Sequence, residues 1–221
     1  MKEGKKYKDS GINIGYGIFT ELPGTVKNLK ITNSVLELDD DYINADEVSS
    51  INAGLLAASL VGGTIENCVV QDCEICLRTT LEIQSMSVGT LTGNDSGIST
   101  IKKCRVNNST LKGSTYSRLI LGGIAGSVYE INDSIFAGTI NVVSTGNYSW
   151  PSYVGGITGI AGNQIESCAN FGDVTGTASY GIITGGITGR ASAMVLPVSM
   201  CANDGTVYAD SRMAMGVAGG I

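Results

Sequence analysis

The chain has 221 residues, with 20 acidic and 14 basic side chains, no histidine and a net charge of −6. The acidic balance argues against a nucleic-acid partner, which would need clustered Lys and Arg against phosphate. The lack of histidine excludes a Ser-His-Asp triad, a Cys-His pair and an H-E-x-x-H zinc site within this segment.

The first residues carry Lys2, Lys5, Lys6 and Lys8. No apolar stretch follows them, so residues 1–14 read as a solvated basic leader or linker rather than a secretory signal. No later run approaches the roughly 18 apolar residues of a membrane helix, so membrane insertion is not expected of this segment. Residues 15–221 carry a degenerate repeat. An apolar residue after glycine-rich backbone recurs at Ile18, Leu56, Leu91, Ile124, Ile157, Ile187 and Ile221, at intervals of 38, 35, 33, 33, 30 and 34 residues. A second apolar position follows at Val26, Ile65, Ile101, Ile131, Ile165 and Val198. A third follows at Leu36, Ile75, Leu111, Ile140, Val174 and Val207.

Three apolar columns per repeat predict three short strands per coil, each sending a side chain inward. Helices are disfavoured by 31 glycines, since Gly costs a helix interior about 1 kcal/mol relative to Ala. One coil cannot bury its apolar residues alone, but a neighbour about 4.8 Å away covers them. The expected fold is an all-β, right-handed parallel β-solenoid of about six coils of 30–38 residues. The handedness rests on the bias of parallel crossovers. The rival is an antiparallel β-sandwich. The chain stops at Gly219-Gly-Ile221 as a new coil begins, without the polar cap a solenoid needs. The solenoid is therefore expected to continue beyond residue 221 in a longer parent protein.

Three residues after the second column stand Leu29, Cys68, Cys104, Ser134, Cys168 and Cys201. Such alignment has a stacking explanation in a solenoid and none in a sandwich. The cysteines read as a buried ladder of small side chains. Their parallel Cβ vectors disfavour disulfides between neighbours. Two residues before the third column stand Ser34, Cys73 and Ser109 in early coils, then Gly138, Gly172 and Gly205 in later ones. The early coils have one residue more here, which marks two subfamilies of repeat. Cys73-Glu-Ile-Cys76 has C-x-x-C spacing. It lacks the four ligands of a structural zinc site and the helix N-terminus that activates a redox thiol.

The densest acidic stretch is Asp39, Asp40 and Asp41, with Asp46 and Glu47 beyond. It reads either as a solvated loop or as a calcium site, because hard oxygen ligands cluster there. No other cofactor is expected. Glycosidase chemistry needs two facing carboxylates, and the sequence places no such pair, so the segment reads as non-enzymatic. The alternative is a polysaccharide-cleaving enzyme on the same fold. Large rings concentrate in one loop, at Tyr148, Trp150 and Tyr153, with Tyr116 and Tyr180 in the equivalent loops of neighbouring coils. They either cover the loop side of the core or stack on sugars and anchor protein partners.

A GGxxG motif recurs three times, as Gly122-Gly123-Ile-Ala-Gly126, Gly155-Gly156-Ile-Thr-Gly159 and Gly185-Gly186-Ile-Thr-Gly189. Its paired glycines are expected to allow tight turns and close approach between coils. In register with Ile165-Glu-Ser-Cys168, these motifs resemble the GLUG-motif repeat. The match is good from about residue 120 onward and weaker from 15 to 119. The resemblance implies a non-catalytic segment of a large bacterial surface or secreted protein, such as adhesin-like proteins and some IgA-cleaving metallopeptidases. It implies an extracellular or cell-surface location, and a host or microbial surface glycan or protein as partner. A purely structural stalk without ligand is the further alternative.

Overall fold

A computed structural model of the chain describes residues 12–41, 48–146, 149–192, 198–213 and 215–220. Every regular element among them is a β-strand. The strands form three parallel sheets, one per face of a coil, and each coil pairs with the next to give a β-solenoid of about six turns. Face A holds one strand per coil: Ile12–Tyr16, Val48–Ala53, Ser85–Gly89, Arg118–Gly122, Ser152–Gly155, Ile182–Gly185 and Gly216–Gly219. Its first strand begins at Ile12, so the last residues assigned above to the leader are already part of the stack. The leader's four lysines lie outside the described residues. Faces B and C follow in chain order, with two short strands each in the first coils. In later coils these fuse into longer ones, such as Ala125–Asn132 on face B and Ile135–Ser144 on face C. The parallel pairing excludes the sandwich.

The apolar columns stack as the repeat demands. Val26, Ile65, Ile101, Ile131, Ile165 and Val198 are successive register partners. So are Leu36, Ile75, Leu111, Ile140, Val174 and Val207. The interior members of both columns are fully buried. In the first column Leu56, Leu91, Ile124, Ile157 and Ile187 are buried, while Ile18, in the first coil of the described residues, is 62% exposed. Ile221, the last member, lies outside the described residues.

The corner from face B to face C explains the cysteines. The residue before each column member has a positive φ: Asn28, Asn67, Lys103, Asp133, Ser167 and Met200. This left-handed backbone turns the chain sharply and takes the next N–H out of the ladder. The column side chain of the following coil receives that N–H, from Cys104 to Ser134 Oγ at 3.1 Å and from Cys168 to Cys201 Sγ at 3.4 Å. The same side chains donate to the carbonyl two residues back, at 3.3 Å for Cys104 and 2.8 Å for Ser134. Cysteine and serine share this column because both are small and both can donate and accept. The ladder, which includes Cys68, is therefore a hydrogen-bonding device as well as a filler.

The two subfamilies differ at a second corner on face C. In early coils Asn33, Asp72 and Asn108 supply a further left-handed residue. In later coils it is deleted, and the pairing of Asn107 with Ala137 and Thr110 with Thr139 absorbs the loss. A buried amide then takes over at Asn170, whose Nδ2 donates to Gly172 O at 2.9 Å and Asn203 Oδ1 at 2.7 Å, while its Oδ1 accepts the Gly172 N–H at 3.0 Å.

The GGxxG glycines are set by close approach, as the motif predicts. A Cβ on Gly122, Gly155 or Gly185 would lie about 2 Å from the carbonyl oxygen three residues on. A Cβ on Gly123 or Gly156 would lie 2.1 Å from a carbonyl oxygen of the next coil. The third copy behaves alike: a Cβ on Gly186 would lie 2.4 Å from Gly220 O and 2.3 Å from Asn203 Cγ. Gly186 thus meets both the next coil's backbone and half-buried Asn203, as Gly156 meets buried Asn170 at 2.5 Å. A Cβ on Gly126, Gly159 or Gly189 would strike face A, at 2.6 Å from Ser87 Oγ, 2.6 Å from Leu121 N and 2.7 Å from Val154 N respectively. Faces A and B fold directly onto one another at this turn. Gly156→Ala is expected to destabilise the fold by about 1–3 kcal/mol through overpacking. Gly24→Ala, where a Cβ meets nothing within 4 Å, should stay within about 0.5 kcal/mol of the parent. Urea unfolding of the two variants checks the contrast.

Candidate functional site

The turn from face C to face A carries the aromatic residues. Trp150 is 68% exposed and Tyr116 is exposed at the equivalent turn one coil earlier. Tyr180 is half-buried, and its carbonyl accepts Ser211 Oγ at 2.6 Å. Tyr148 lies outside the described residues. Tyr116 and Tyr180 stand two coils apart and do not meet.

Of the two readings open to Tyr153, the structure shows the covering ring and not an exposed one. It is buried at 6% exposure, in the strand Ser152–Gly155. Strand alternation is the cause: Val154 points into the core, so Tyr153 points the other way, into the fold between faces A and B. There its ring carries two guanidinium groups. Arg118 Cζ lies 5.3 Å and Arg190 Cζ 5.6 Å from the ring centroid. Both distances suit cation–π attraction. Arg118 comes from the neighbouring face A strand, and its Nε donates to Pro151 O at 3.0 Å. Arg190 comes from the face B strand Thr188–Ala191 of the following coil. Burial pulls the Arg118 pKa below its usual value; Tyr153 opposes that and the like charge of Arg190 adds to it. Sequence reading missed both arginines, because they lie far from Tyr153 in the chain and meet it only through register.

Asp39, Asp40 and Asp41 divide their tasks, while Asp46 and Glu47 lie outside the described residues. Asp39 Oδ1 accepts the Asp41 N–H at 3.1 Å. Asp40 reaches the next coil, accepting Thr80 Oγ1 at 2.6 Å and the Thr80 N–H at 3.1 Å. Among the described residues no three Cys, Asp or Glu side chains gather as cation ligands do. Burial pushes the Asp40 carboxyl up, but hydrogen bonds from Thr79, Thr80 and Leu81 outweigh it and hold the pKa below its ordinary value.

A depression of about 400 Å³ lies on face C against Cys76, Arg78, Lys112, Gly113 and Asn141. Gly113 has φ of +123°, and a Cβ there would lie 2.0 Å from Leu77 O. The Cys76 thiol donates to Glu74 Oε1 at 2.5 Å, and Lys112 pairs with Glu74 at 3.0 Å. Burial, then Glu74, raises the Cys76 pKa, so this thiol is not an activated nucleophile.

Comparison with protein-family models, curated proteins and solved structures finds no match.

Two outcomes follow from the titratable groups. Asp40 is more acidic folded than unfolded, so its contribution is present above the unfolded pKa and is lost as pH falls through the folded one. Asp40→Asn should lower stability near neutral pH and flatten the loss on acidification below about pH 4, read from urea midpoints against pH. Cys201 alone of the six cysteines is not buried, and hydrogen bonds from Cys168 lower its pKa. Burial drives Cys104 up to about 12. Alkylation of the native protein near pH 8 should modify Cys201 first, with the buried five reacting only in denaturant, as peptide mass mapping would read directly.

Proposed function

We propose that the chain is a non-enzymatic repeat region of a bacterial cell-surface or secreted protein, serving as spacer and adhesion platform. The observation that carries this reading is Trp150, a large ring held 68% exposed at a turn of a rigid stack. Exposed aromatics on a fixed frame are the groups that stack on sugars or anchor proteins at low entropic cost. Its strand neighbours are pinned: Ser152 N donates to Gly181 O at 2.9 Å, and Ser152 Oγ accepts the Leu119 N–H at 3.0 Å. The ring is therefore presented by backbone that two coils hold in place. Six coils at about 4.8 Å make a rod of roughly 30 Å, a suitable spacer.

The carboxylates at hand have structural work. Asp95 accepts from Gly97, Ser99 and Tyr129, and Glu66 pairs with Lys27 at 2.7 Å and Lys102 at 3.7 Å. The resemblance of the GGxxG and Ile-x-x-Cys elements to GLUG repeats supports an extracellular, bacterial setting. The partner on this reading is a surface glycan or protein of host or microbial origin.

Arrays of glycans and mucosal proteins probed with the 221-residue chain and with Trp150→Ala test the reading. Binding is expected for the parent, falling at least about tenfold in the variant, the loss typical of an aromatic anchor. The variant should unfold within about 0.5 kcal/mol of the parent, as exposed substitutions do. Binding unaffected by the substitution would remove Trp150 from the site, and no binding at all would leave a stalk.

A further inference from the structure

We propose that the Arg118–Tyr153–Arg190 cluster, beside Trp150, is a subsite for the carboxylate of an acidic saccharide. The inference rests on the platform reading above and adds the chemical class of its ligand.

The first argument is charge. The chain is acidic overall, with 14 basic residues against 20 acidic. Yet two guanidinium groups from different coils converge on one ring, at 5.3 and 5.6 Å from its centroid. Among the described residues neither has a carboxylate partner, which is also true of Lys30, Lys103, Arg105 and Arg212, but only Arg118 and Arg190 lie against one ring. Burial disfavours the charge on half-buried Arg118, and the like charge of Arg190 at the same ring adds to it. A bound anion relieves that repulsion. Guanidinium forks suit a planar carboxylate in particular.

The second argument is rigidity. Tyr153 meets Arg118 from the preceding coil and Arg190 from the following one, and Pro151 O fixes Arg118 Nε at 3.0 Å. Arg190 remains exposed. The subsite is thus preformed on the Arg118 side and open on the Arg190 side, so little ordering entropy is lost on binding.

The third argument separates a sugar from a peptide. An extended acidic peptide binds best by adding a strand to a free sheet edge. The strand Ser152–Gly155 is paired on both sides, with Arg118–Gly122 and Ile182–Gly185. No backbone is free there to receive a strand. What the turn offers is an exposed indole next to Pro151, a ring on which a pyranose face stacks, with Arg118 held to the Pro151 carbonyl beside it.

The test compares three immobilised probes, sialyllactose, lactose and a polyglutamate peptide, against the parent chain, Arg190→Gln and Trp150→Ala. Arg190 is exposed, so its substitution leaves folding intact, which the urea midpoint checks. The expected result is sialyllactose bound at least about tenfold more tightly than lactose, a preference abolished in Arg190→Gln and weakened by about 0.5 M salt. Equal binding of both sugars, unaffected by Arg190→Gln and lost in Trp150→Ala, would overturn the carboxylate subsite and keep the platform. Preference for polyglutamate over sialyllactose would overturn the saccharide assignment. Absence of binding to any probe or array component would overturn both readings.

Discussion

Hydrogen bonds along the stacking axis set the terms for the rest of the molecule. Each coil sits one ladder spacing from the next, so whatever occupies a corner must coexist with a copy of itself about 4.8 Å away. At the face B to face C corner the chain adopts a left-handed residue, as at Lys103 and Ser167, and frees an N–H. The next coil's Ser134 or Cys201 takes it. That exchange fixes which residue types the column admits, and the column in turn fixes the register of the apolar residues three positions away. A buried unpaired N–H at each corner would be costly, and the repetition multiplies the cost.

How much of this was legible in the sequence follows from the same logic. The columns ending at Val198 and Val207 could be read directly, because stacking requires like residues in like places and the intervals expose them. The paired glycines were legible as a turn device, but not that Gly186 and Gly156 also each make room for an asparagine amide. The cysteine ladder was legible as a column, but its hydrogen-bonding role was not, since Ser134 in the series looks like an exception until its partner N–H is seen. The left-handed corner was half visible. Asn28 and Asn67 are residues that tolerate it, whereas Lys103 and Met200 adopt it only because their neighbours impose it. Tyr153 was legible only as one of two alternatives, core cover or exposed ring, because a one-residue change in strand phase exchanges the two sides of a sheet. Arg118 and Arg190 carry no motif, and only the register brings them to one ring. Asp40 looked like part of an acidic cluster, but its partner Thr80 lies a full coil away.

Side-chain chemistry is distributed by face. Face B carries an outward ladder of alternating charge, with Lys27, Glu66 and Lys102 in successive coils. Such exposed pairs contribute only about 0–1 kcal/mol each, so their main effect is to keep a flat sheet soluble and to disfavour wrong registers. Face C repeats the device with Glu74 and Lys112. Face A has no such ladder among the described residues, and its outward row is instead covered by the glycines of face B. Arg118 and Arg190 meet where that cover ends. Lys30 and Arg105 on face C are likewise without a carboxylate partner among the described residues, so what sets Arg118 and Arg190 apart is the ring they share.

The Asn170–Asn203 amide pair has a mechanical consequence. Its bond runs along the rod, parallel to the backbone rungs that join the same two coils. A pull along that axis loads all of these bonds together in tension rather than in shear. Coils at the end of the stack would then peel away one at a time at modest force, each step lengthening the chain by a whole repeat and sparing the coils behind it. A tether built this way yields gradually under load instead of failing at once.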